Sequence, residues 1–120
     1  MSAPLDITER TVGSVTVIAL TGRLVIDEGE RVLKERVAAL ILDGRINILL
    51  DLSNVRYIDS SGVGALASLL IHVAGRDGKL KLLSPSPRVD QVLRVTHLTN
   101  AFEIFDDEAA AIGSFGIIDG

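Results

Sequence analysis

The side chains best placed to do chemistry lie in one stretch, Asp51-Leu52-Ser53-Asn54-Val55-Arg56-Tyr57-Ile58-Asp59-Ser60-Ser61-Gly62-Val63-Gly64. An acid, two adjacent serines and two glycines stand where an apolar helix begins. Free backbone N–H groups and the positive end of the helix dipole gather at such a start. A phosphate carried by a serine there would occupy a favourable anion site and add about −1.5 to −2 of charge. Gly62 and Gly64 would keep the surface beside the serines low, so that another protein could approach the backbone. The plainer reading is ordinary helix-start chemistry, with a Ser (Ser60 or Ser61) at the N-cap, preceded by Asp59. The local pattern permits a switch without demanding one.

Other candidates carry less. Asp51 and Asp59 form no metal site by themselves, since no His or third acid stands near them. Asp51 is expected to end a strand, and Asp59 to support the serine loop. His72, on the exposed edge of the second helix, and His97, near the end of the third, have no partner for proton transfer. Ser60 with a distant His makes no usable triad, and Tyr57 reads as a packing or loop-anchoring residue. Gly62-Val63-Gly64-Ala65-Leu66-Ala67 matches the letters G-x-G-x-x-A of a dinucleotide fingerprint. That fingerprint follows its strand directly and needs an acid about 20 residues on. Here a loop of several residues is expected to intervene, and Leu80-Lys81-Leu82-Leu83-Ser84 contains no acid.

The elements that must position the serines follow from the apolar spacing. Leu5 to Arg10 and Val15 to Leu20 read as strands joined through Thr11-Val12-Gly13-Ser14, the second ended by Thr21-Gly22. Asp27 is a candidate cap for a helix over 28–43, whose Leu33, Val37, Leu40 and Ile41 share one face, with Gly44 ending it. Ile46 to Leu52 reads as a central strand covered on both faces, and Ser53 to Asp59 as a loop. A second helix from Ser60 or Ser61 to about Ala74 is apolar almost all round. Leu80 to Leu83 is a strand, and Ser86-Pro87 opens a third helix that turns Val89, Val92 and Leu93 inward. Phe102 to Phe105, Asp107 to Ile112 and a loose tail from Gly113 to Gly120 complete the chain. The order β-β-α-β-α-β-α-β-α predicts an α/β fold with a mixed sheet of four to five strands and about four helices. One domain over residues 1–120 is expected, with its core at about 5–112.

Composition removes several function classes. The 120 residues carry a formal charge of −4, with no clustered Lys and Arg, which disfavours nucleic acid and an anionic membrane surface. The absence of cysteine excludes disulfides, thiolate catalysis and Cys-based zinc sites. Aromatic residues are 3%, leaving few platforms for stacking bases. The N-terminus shows no secretory pattern, and the longest apolar run, Val63 to Ile71, is too short to span a bilayer. A cytoplasmic, non-enzymatic protein without a cofactor is expected.

At this point the chain resembles a family. Leu20-Thr21-Gly22-Arg23-Leu24 is similar to the L-T-G-x-L element of STAS domains, specifically those of bacterial anti-sigma factor antagonists. Leu50 to Val55 and Tyr57 to Gly64 are similar to their D-L-x-x-V-x-x-[IM]-D-S-[ST]-G-[LV]-G signature. The resemblance runs from about Leu5 to Ile112. It implies a single STAS-type domain in which the serine after the Asp, here Ser60, is phosphorylated by a partner protein kinase that is itself the anti-sigma factor. The unphosphorylated form would bind that kinase and free the sigma factor, and the phosphorylated form would release it. A serine phosphatase is a further candidate partner. The partner-binding surface would comprise Asp59, Ser61, Gly62, Val63, Gly64, Gly22 and Arg23. In one departure, Arg23 and Val25 stand where many phosphorylated members carry Glu and Asp after L-T-G, which bears on which kinase would recognise the chain. Two other classes compete: a STAS subunit or scaffold that is never phosphorylated, in a transporter or stress-signalling complex, and a nucleotide-binding enzyme. The intact D-S-S-G favours the switch over the first, and the lack of a P-loop disfavours the second.

Overall fold

Apolar, β-branched runs build the sheet, and helices of 3.6-residue period cover it. The computed structural model describes residues 5–25 and 28–116, Glu28 by its backbone alone. Strands β1 (Asp6–Val12), β2 (Val15–Leu24), β3 (Asn47–Ile58), β4 (Lys79–Leu83) and β5 (Ile104–Phe105) form one sheet in sequence order. The β1–β2 hairpin is antiparallel, closed by Gly13 and Ser14 with Val12 opposite Val15, and every later pair is parallel. Helices α1 (Glu28–Leu42), α2 (Ser60–Ala74) and α3 (Pro87–Val95) make the crossovers. Crossovers of one hand that always step in the same direction across a sheet lay their helices on one face.

That face holds the main core. Leu33 and Val37 of α1, Leu66 and Val73 of α2, and Val89 and Leu93 of α3 meet Ile48, Leu50 and Leu52 of β3, all buried. The opposite face carries a smaller cluster of Val15, Val17, Leu49, Leu83, Ala111 and Phe115, covered by α4 (Glu108–Gly113). Strand β3 is therefore apolar in succession because both faces are covered. Leu33, Val37, Leu40 and Ile41 face the core as their spacing predicts. Gly44, at φ +80°, follows α1 where a side chain would be strained, and the N–H groups of Gly44 and Arg45 donate to the carbonyls of Ile41 and Leu40. Ser86 and Pro87 open α3 as expected: Ser86 Oγ accepts from Val89 N at 3.3 Å. The proposed cap Asp27 lies outside the described residues.

Four expectations need correction. Ser53 to Asp59 is not a loop: β3 runs on to Ile58, because β2 also runs on to Leu24 and its backbone pairs with Asn54, Val55, Tyr57 and Ile58. Burial there recurs every third residue, at Leu52, Val55 and Ile58, so the alternation that marks a strand is absent from the sequence. The hairpin turn is shorter than expected, with Thr11 and Val12 in β1. Helix α2, apolar almost all round in sequence, is not buried all round: Ser60, Ser61, Gly64, Ser68 and even Ile71 are exposed. The tail expected from Gly113 packs at its start: Gly113 ends α4, and Phe115 is 4% exposed.

Buried Lys81, on β4, accounts for that last contact. Its Nζ donates to Ser114 O at 2.9 Å and Ser114 Oγ at 3.0 Å, pairs with Glu103 at 3.3 Å, and lies 4.8 Å from the centre of the Phe115 ring. A cation at a helix C-terminus, paired and hydrogen-bonded, is a tolerable buried charge. It pins α4 to the sheet.

Candidate functional site

The serines lie where β3 delivers the chain to α2, at the carboxyl edge of the parallel strands. One residue, Asp59, separates strand from helix. Its backbone is extended, and its Oδ1 accepts from Gly62 N at 2.9 Å. Asp59 is therefore the N-cap, a role expected of Ser60 or Ser61. Those serines occupy the first two helical positions with both side chains exposed. Their hydroxyls are not spent on capping, and the adjacent first-turn N–H groups are those that no helix satisfies internally.

The glycines do different work from each other. A Cβ on Gly62 would lie 2.2 Å from Leu24 O and 2.7 Å from Ile58 Cγ1, so the start of α2 rests directly on the end of β2. Gly64 has nothing within 4 Å of such a Cβ and is exposed. Only Gly64 keeps the outer surface low. Gly22 is buried at φ +113°, beside a shift in the β2–β3 register between Gly22 and Arg23. The shift brings Arg23 opposite Tyr57. Val63, expected in the docking surface, is 1% exposed and belongs to the core. Of the residues expected in that surface, Ser60, Ser61, Gly64 and Arg23 are exposed and Asp59 is half-buried.

Other residues drew little notice in the sequence. Tyr57 is 36% exposed, and the guanidinium carbons of Arg23 and Arg88 stand 4.9 and 5.0 Å from its ring centre. It packs, as expected, but at the surface and against two arginines. Ser86 Oγ donates to Val55 O at 2.7 Å and ties the start of α3 to β3. An open cavity of about 460 Å³ between these elements is lined by Ser53, Asn54, Arg56, Ser86 and Arg88, among others. The sequence signals that could have found the cluster are weak, because Arg56, Tyr57 and Arg88 fall in what read as a loop and an ordinary first helical turn.

The remaining candidates stay apart. Asp51, inside β3 rather than at its end, accepts from Ser53 N at 3.0 Å and Ser53 Oγ at 2.8 Å. His72 is exposed in the last turn of α2, and His97 lies beyond α3 at φ +60°. Among the described residues no three His, Asp or Glu side chains group as metal ligands would. The dinucleotide letters lie closer to their strand than expected, because β3 ends one residue before α2 and the intervening loop is absent. Gly62 still offers no cradle, since the space above it is filled by the Leu24 carbonyl. No helix among the described residues is long and apolar enough to cross a membrane.

Comparison with known proteins bears on the family and the fold. A candidate anti-sigma factor antagonist of Thermotoga neapolitana is 38% identical over 69 residues, 58% of this chain and 61% of the relative. The chain thus aligns with somewhat under two thirds of that relative's length. The crystal structure of a candidate anti-sigma factor antagonist from Thermotoga maritima superposes with a TM-score of 0.80 at 26% identity, covering 92% of this chain and 95% of that one. The Bacillus cell fate determinant SpoIIAA in its phosphorylated form superposes with a TM-score of 0.71 at 23% identity, over 91% and 98% of the two chains. It shares the fold of a five-stranded mixed sheet with four helices. The family model of the STAS domain matches residues 6–111, nearly the whole described fold, and the chain belongs to the STAS domain family.

Proposed function

We propose that this chain is an anti-sigma factor antagonist acting in the cytoplasm, which binds an anti-sigma serine kinase and is released by phosphorylation of Ser60. The observation that carries the reading is an exposed Ser60 hydroxyl at the first position of α2, left free because Asp59 does the capping. The family, and relatives named as anti-sigma factor antagonists, supply the partner class. Unphosphorylated, the low surface around Ser60 and Gly64 fits a partner built for a neutral hydroxyl. The phosphoryl group adds about two negative charges beside the Asp59 carboxylate, while the helix N-terminus offsets part of that cost within the domain. The fold is therefore kept, and the penalty falls on the interface as charge repulsion and lost desolvation. A penalty of about 3 kcal/mol weakens binding roughly a hundredfold. The protein works by binding and performs no catalysis of its own.

The test is calorimetric titration of the phosphorylated and unphosphorylated chain into the same anti-sigma kinase. Weaker binding by the phosphorylated form is expected, with Ser60→Ala binding like the unphosphorylated protein but resisting the kinase. Equal affinity of the two forms would remove Ser60 as the switch.

A further inference from the structure

The described residues place five basic side chains outside any ion pair, and three of them, Arg23, Arg56 and Arg88, gather about Tyr57 and the cavity between the end of β3 and the start of α3; the residues that follow β3 lead to Ser60. The other two, Arg76 and Lys79, lie at the opposite end of the sheet, where β4 begins. Arg23 and Arg88 approach the exposed ring of Tyr57 at 4.9 and 5.0 Å. Arg56 and Arg88 line the open cavity beneath. We propose that this arginine–tyrosine cluster is the specificity-determining part of the docking face and receives an acidic segment of the protein partner. The inference rests on the Ser60 reading for its location and deepens it by naming the partner's chemistry.

Three observations support it. Exposed cations in a chain of net charge −4 are ordinarily drawn into pairs, and seven of the twelve Lys and Arg side chains are paired here. Arg23, Arg56 and Arg88 meet no carboxylate among the described residues, so an acid from outside need displace no internal partner. Stacking on Tyr57 holds the Arg23 and Arg88 guanidinium groups in place and lowers the entropy lost on binding, and Tyr and Arg are the residue types that anchor protein interfaces. The open cavity is lined by both Arg56 and Arg88, so an entering carboxylate meets two cations that can each pair with it. A nucleic acid or an anionic vesicle would need a wider basic surface than three arginines on an acidic protein. Phosphorylation of Ser60 then adds a competing anion where β3 leads into α2.

The test uses the full chain, isotopically labelled, and an acetylated hexaglutamate peptide at low ionic strength, followed by two-dimensional NMR. Chemical-shift changes are expected at Arg23, Arg56, Tyr57 and Arg88, with none from hexalysine. Affinity should fall as salt is raised from about 0.05 to about 0.5 M. Replacing the three arginines together by serine should weaken binding at least about tenfold, from three partly exposed pairs. Arg76→Ser should leave it unchanged, and circular dichroism verifies that each variant folds. No binding, shifts centred on Arg76 and Lys79, or tighter binding of a single-stranded oligonucleotide or phosphatidylserine vesicles would overturn the proposal. A kinase-modified Ser60 on a chain blind to the acidic peptide refutes the cluster alone. Acid binding by a chain whose Ser60 is never modified refutes the switch alone.

Discussion

Replacing Gly62 by alanine should separate the start of α2 from the end of β2. The added Cβ would meet Leu24 O at 2.2 Å, Ile58 Cγ1 at 2.7 Å and Leu24 C at 3.1 Å. Carbon contacts relax to about 3.5–4.0 Å, so one element must move by about 1 Å. The nearest obstacle is backbone, which cannot turn aside as a long side chain would. Overpacking costs about 1–3 kcal/mol, and a backbone clash belongs at the upper end. Alanine regains about 1 kcal/mol of helix propensity, leaving a net loss of about 2 kcal/mol. Gly64→Ala, two residues on in the same helix, is the control. Nothing stands within 4 Å of its Cβ, so it should gain about 0.5–1 kcal/mol. Urea unfolding followed by circular dichroism reads both. With a slope of about 1–3 kcal/mol per molar, the two midpoints should differ by about 1 M or more. A Gly62→Ala protein as stable as wild type would refute the close approach of β2 to α2, and with it the seating of Gly62 against Leu24.

Leu66→Ala, at a fully buried position on α2, should cost about 2–5 kcal/mol in the same urea assay. Asp59→Ala should cost about 1 kcal/mol through loss of the Gly62 N–H cap, and Asp59→Asn much less. If both cost the same, the cap is not the reason. Lys81→Met should strip the Ser114 carbonyl and hydroxyl of their donor, lowering stability by about 1–3 kcal/mol and raising hydrogen exchange at Ala111 to Phe115. Unchanged exchange there would show that the aromatic contacts alone hold α4.

The sequence was most legible where burial is regular. Leu33, Val37, Leu40 and Ile41 lie on one helical face, and the continuous apolar run of β3 announces a strand covered on both sides. It failed where geometry is irregular. The last six residues of β3 bury every third side chain, because register shifts twist the paired ends of β2 and β3 out of strict alternation. Periodicity alone therefore reads as a loop there. Phe115 and Lys81 failed for a different reason: their contact joins residues 34 positions apart, and a lone Phe among glycines and serines resembles a tail. At the site, Ser60 and Asp59 were visible as a motif, but the division of labour between them was not. Which of three neighbouring side chains caps a helix depends on where the backbone turns. The Arg23–Tyr57–Arg88 stack had only a weak signal, since it joins three separate elements.

The central claim is that Ser60 is the phosphoryl acceptor. Its most direct measurement is intact-mass and fragment analysis of the chain taken from its own cells, growing and stressed, locating any phosphate to a single side chain. The expected result is one phosphoryl group on Ser60, in a fraction that changes between the two conditions. Phosphate found on Ser61 or another residue, and never on Ser60, would contradict it.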